Sequence, residues 1–142
     1  MFFRWVMPCI ITASLMTGTA PAWAVDISWR SSSSETVSQG DDRYTYEGTA
    51  VFAGEEAKIV GSGTRNSSPS RGAASAEAIY KFSDGSGFTV RWVSTRIGMT
   101  VRQGGVFING TGHYAGMIGS ATSVQERPGT TVWTGSYELV PE

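Results

Sequence analysis

Apolar and polar residues alternate along most of this chain with a period of two, and glycines mark the places where the alternation breaks. Val25 to Arg30 sets Val25, Ile27 and Trp29 against Asp26, Ser28 and Arg30, the pattern of a half-buried strand. A polar run, Ser31 to Ser34, reads as loop, and Gly40-Asp41-Asp42 as a turn. Arg43 to Phe52 then places Tyr44 and Tyr46 on one face and Glu47 on the other, with Gly48 at a bend or bulge. Ala57 to Gly61 is a shorter, mostly apolar segment whose core residue is Ile59, and Gly61 to Ser75 reads as a long loop joining two strands.

The strongest local signal is a hairpin. Ala78, Tyr80 and Phe82 alternate with Glu77, Ile79, Lys81 and Ser83, and Phe88, Val90 and Trp92 alternate with Thr89, Arg91 and Val93. The Asp84-Gly85 turn between them predicts neighbouring antiparallel strands, with Tyr80 and Phe82 on the same side as Phe88, Val90 or Trp92. Beyond it, Ile97, Met99 and Val101 extend an apolar face past Gly98, and Gln103-Gly104-Gly105 is expected to turn the chain into Val106 to Ile108. Asn109-Gly110 offers another turn. Gly112 to Gly119 carries Tyr114 and Met117 between glycines, and Arg127-Pro128-Gly129 precedes a last strand, Thr130 to Val140, in which Trp133, Tyr137 and Leu139 share a parity. About eight strands joined by short antiparallel links predict an all-β domain built as a small barrel, with a β-sandwich as the alternative.

The first 24 residues follow another pattern. Arg4, an apolar run from Trp5 to Met16 and the ending Ala22-Trp23-Ala24 form the three parts of a secretory signal peptide, and the run, interrupted by Pro8, is short for a bilayer span. The expected organisation is a leader over 1–24 and a single β-barrel domain over 25–142, periplasmic or secreted, with no stable membrane span after cleavage. Cys9 lies in the leader, so the remaining chain holds no cysteine and forms no disulfide. Without Arg4 there are 10 basic and 12 acidic residues, and no basic cluster follows an aromatic stripe, which argues against a nucleic-acid partner.

Few residue types for chemistry are present. His113 is the only base available to a serine nucleophile, and no G-x-S-x-G elbow occurs, so no catalytic residue is expected. One histidine and no cysteine outside the leader do not make a zinc site, and Asp41-Asp42 lacks the ordering of a calcium loop; no metal or cofactor is expected. Glu47 and Glu77 fall opposite the aromatic faces, toward solvent, and His113 reads as a partly exposed or hydrogen-bonded residue at a barrel rim. The aromatic inventory remains. Tyr80, Phe82, Trp92, Tyr114 and Trp133 are candidate ligand-binding residues, although aromatics also serve simply to fill a small barrel. Arg91 is the candidate partner for a ligand carboxylate if its face is the lumen, and a solvated surface residue if it is not.

The segment Gly110-Thr111-Gly112-His113-Tyr114-Ala115-Gly116-Met117-Ile118-Gly119 resembles the G-T-G-x-Y-x-G-x-x-G segment of allene oxide cyclase-like and dirigent-like β-barrels. Its setting is similar too, between a strand of the type DGSGFTVRW and a final aromatic strand, so that the resemblance covers Glu77 to Leu139. It implies an eight-stranded antiparallel barrel whose lumen holds an apolar molecule, often in a homo-oligomer. Three functions follow as expectations: an exported barrel binding a small apolar molecule, a cyclase- or dirigent-like enzyme without covalent catalysis, or a structural or protein-binding module.

Overall fold

Strand pairing follows chain order all the way round a closed antiparallel barrel, and β1 then pairs with β8 to seal it. The computed structural model describes residues 24–38, 40, 42–67 and 71–141. The strands are β1 (Val25–Ser38), β2 (Arg43–Phe52), β3 (Glu55–Ser67), β4 (Arg71–Phe82), β5 (Gly87–Ile97), β6 (Thr100–Thr111), β7 (Met117–Arg127) and β8 (Thr130–Leu139). The sandwich alternative is thereby set aside. The leader pattern lies outside the described residues, apart from Ala24. Among the described residues no helix is long and apolar enough to cross a membrane.

The expected hairpin is present. Tyr80 stands opposite Phe88 and Ala78 opposite Val90, with Tyr80, Phe82, Phe88 and Val90 all buried in the lumen. Asp84 shapes its turn by accepting the Ser86 amide on Oδ1 at 2.8 Å and the Ser86 hydroxyl on Oδ2 at 3.1 Å.

Several expected loops and turns are instead strand. Ser31 to Ser34 belongs to β1, where it pairs with Ala50 to Glu47 of β2, while Ser31 and Ser32 also pair with β8. Partners along both edges satisfy this polar stretch without an apolar pattern of its own. Most of Gly61 to Ser75 is strand as well, the end of β3 paired with the start of β4.

Gln103-Gly104-Gly105 does not turn the chain; the reversal comes earlier, at Gly98-Met99, and the expected apolar face through Ile97 and Met99 ends there in solvent. Gly105 instead stands opposite Trp92, and a β-carbon on it would come within 3.1 Å of the Trp92 Cβ. Asn109-Gly110 likewise stays within β6, and the following turn is a short 3-10 segment, Gly112–Tyr114.

The lumen is filled unevenly. Around one end, bounded by the β2–β3, β4–β5 and β6–β7 connections, Phe52, Phe82, Phe88, Phe107, Tyr114 and Tyr137 form a continuous aromatic plug. Phe52 is its centre and is completely buried. Midway, Trp29 stacks on Trp133 at 5.7 Å and 9° between planes, and Tyr80 stacks on Phe88 at 4.9 Å. Toward the other end many inward positions are small: Gly61, Gly63, Ala76, Ala78, Gly105 and Ala121. That substitution of small for large side chains leaves space open to solvent.

Candidate functional site

The open half of the lumen is a cavity of about 460 Å³. Ile59, Ala78, Tyr80, Val90, Trp92 and Trp133 form its apolar depth, and Ser31, Ser33, Glu35, Gln103, Gln125 and Thr131 give its wall polar groups. Its size suits a small organic molecule, and the combination of aromatic surface with a few polar groups is that of a small-molecule pocket.

Tyr46 and Trp92 make the cavity's aromatic wall. Tyr46 lies directly across from Gly61, where a β-carbon would sit 2.0 Å from the ring, so only glycine lets the phenol lie against β3. The Tyr46 hydroxyl accepts the Trp92 indole N–H at 3.0 Å, which leaves its own proton available to an acceptor in the lumen. Burial raises the Tyr46 pKa, so the group stays a neutral donor. Deeper, the Tyr80 hydroxyl accepts from Trp29 Nε1 at 3.1 Å, and burial pushes the Tyr80 phenol up to about 12.

Near the mouth, a charged pair bridges β1 and β3 across β2. Arg65 donates from Nη1 and Nη2 to the two carboxylate oxygens of Glu35 at 2.9 and 2.7 Å, a bidentate fork. Its guanidinium carbon lies 4.6 Å over the Tyr44 ring, which in turn stacks on Tyr46 at 5.9 Å. The guanidinium holds the Glu35 carboxyl below its ordinary pKa, chiefly by hydrogen bonding, so the one acid among the described lining residues is an occupied carboxylate. On the β7 side, the Ser123 hydroxyl donates to the Gln103 amide oxygen.

Of the residues singled out from sequence, Tyr80, Trp92 and Trp133 line this cavity. Phe82 and Tyr114 do not reach it; they belong to the aromatic plug, with ring centroids 5.2 Å apart. Arg91 points away from the lumen, its side chain 61% exposed and 3.5 Å from Glu77 across the outer face, so it takes the solvated alternative. Ser33, Glu35 and Gln103 carry no sequence signal of a pocket, and Tyr46 belongs to the aromatic inventory without being among the candidate ligand-binding residues. The signal for Tyr46 was its parity with Tyr44, whereas Glu35 and Arg65 sat in or beside stretches that read as loop.

His113 lies at the plugged end, away from the cavity. Its Nε2 is 2.9 Å from Asp84 Oδ2, its side chain is 74% exposed, and its backbone amide donates to Ser86 Oγ at 3.0 Å. The amide contact does not depend on the imidazole. His113→Gln is therefore expected to shift Tm by no more than about 3 °C, the scale of an exposed substitution. A thermal melt dropping much further would show that the ring itself supports this rim.

No family model, curated protein or solved structure matches the chain.

Proposed function

We propose that this is an exported β-barrel that binds a small, largely apolar molecule in the open half of its lumen. The observation that carries the reading is the uneven filling of the barrel: one end is packed with aromatic rings, while small inward residues hold about 460 Å³ open at the other. The deep wall favours an apolar or aromatic body, and the Tyr46 hydroxyl suits a hydrogen-bond acceptor on it, such as a carbonyl or ether oxygen. Because Glu35 is already tied to Arg65, the cavity suits an uncharged body better than a charged one. Export rests on the leader pattern of residues 1–24.

A neutral fluorescent naphthylamine, N-phenyl-1-naphthylamine, tests the cavity. The protein is expected to raise its emission saturably, with one molecule bound per chain. Ser33 faces the cavity from its polar wall. In Ser33→Trp the new indole occupies that space, and affinity is expected to fall at least tenfold, about 1.4 kcal/mol, with an unchanged melt. Absence of binding to the parent, or equal binding by a folded Ser33→Trp, would remove the reading.

A further inference from the structure

Charge is sorted along the barrel axis. Arg43 opens β2, Arg71 opens β4, Arg96 lies near the end of β5, Arg102 near the start of β6, and Arg127 closes β7, so all five surround the cavity mouth. The described acids at this end are Asp42, Glu35 and Glu126, and the last two are held by Arg65 at 2.7 Å and Arg30 at 2.9 Å. At the plugged end the chain's only lysines, Lys58 and Lys81, face each other across β3 and β4. They are accompanied there by Asp26, Glu55, Glu56, Asp84 and Glu138. A chain of nearly balanced charge thus carries a basic collar at its mouth and an acidic base.

An apolar tip projects from the collar. β5 reverses at Gly98, whose φ of +61° suits the first central position of a tight hairpin turn, and Arg96 Nη1 donates to its carbonyl at 3.0 Å. The residues on either side of Gly98, Ile97 and Met99, are 67% and fully exposed. Val124, on the neighbouring β7, is 69% exposed. Two aliphatic side chains on one narrow hairpin are too little apolar surface for a stable protein interface, which needs about 1,000 Å². They do match the depth of a lipid headgroup layer, where shallow apolar insertion and basic residues act together. Arginine also suits phosphate through its forked donors.

We propose that the open end of the barrel docks on an anionic phospholipid bilayer, with Ile97 and Met99 entering the headgroup boundary and the arginine collar meeting lipid phosphates. This orientation sets the cavity mouth against the bilayer. The docking stands whether or not the cavity takes a ligand.

Co-sedimentation with vesicles tests it. The protein is expected to partition at least tenfold more strongly onto vesicles of equal parts phosphatidylglycerol and phosphatidylcholine than onto phosphatidylcholine alone, with partition falling as salt rises. Met99→Asp and the double variant Arg102→Glu/Arg127→Glu are each expected to lose at least tenfold. Met99→Trp is expected to gain several-fold, and Lys58→Glu/Lys81→Glu to change nothing. All of the replaced side chains lie on the surface or at its turns, and circular dichroism confirms folding of each variant. Every variant carries the same N-terminal segment, so differences between them report the mouth. Unchanged binding by Met99→Asp would overturn bilayer docking. So would loss in the arginine variant without loss in Met99→Asp, which is the behaviour of a mouth that attracts polyanions or acidic proteins by charge alone.

Discussion

Phe52→Ala is expected to destabilise the protein by about 3–5 kcal/mol, lowering Tm by about 15 °C or more. Phe52 has no exposed surface and lies within 6.4 Å, centroid to centroid, of Trp29, Phe82, Phe88, Phe107, Tyr114 and Tyr137. Those six rings come from β1, β4, β5, β6, β8 and the 3-10 turn, so truncation leaves a void that no single strand can move to fill. Urea melts of parent and variant measure the loss. A cost below about 1 kcal/mol would mean that the plug collapses around the gap, and that it is far less rigidly packed than its geometry implies.

Gly116→Val is expected to cost about 1–3 kcal/mol by the same measurement. Gly116 has a φ of +80°, which L side chains rarely adopt, and a β-carbon there would stand 2.1 Å from the Val140 carbonyl oxygen. The contact it would disrupt is specific: the Val140 amide donates to the Gly116 carbonyl at 2.9 Å, fastening the chain after β8 to the turn before β7. The backbone strain is unavoidable, whereas the clash is softened because Val140 lies at the exposed end of the described chain. A valine variant as stable as the parent would show that this turn adapts freely.

The barrel was legible because alternation fixes which face a side chain occupies. Asp84-Gly85 and its flanking runs specified the pairing and shared face of one hairpin, though not its register or its extension back to Arg71, and the parity of Arg91 against Trp92 already placed them on opposite faces. Alternation does not give height along the barrel axis. Trp92 and Trp133 therefore reach the cavity while Phe82 and Tyr114, equally inward, are spent in the plug. Two of the misread stretches, Gly61 to Ser75 and Gln103-Gly104-Gly105, share a physical origin. A glycine beside polar residues looks like a turn locally, but four strand glycines stand directly opposite aromatic residues: Gly61 against Tyr46, Gly63 against Tyr44, Gly105 against Trp92, and Gly119 against Tyr137. At Gly61 the requirement is direct, since a β-carbon would enter the Tyr46 ring. That requirement comes from a neighbour distant in sequence, which no local pattern contains.

The seam between β1 and β8 gives the barrel a natural clock. Every other pairing joins strands consecutive in the chain, so each can form by closing a short loop, and only the seam must bring together the two ends of the strand series. Trp29 and Trp133 are direct cross-strand partners on that seam, with indoles 5.7 Å apart and nearly parallel. Two indoles so placed couple their electronic transitions only once the ring is shut. The exciton-coupled circular dichroism of this pair therefore times closure itself, separately from the collapse and hairpin formation that precede it.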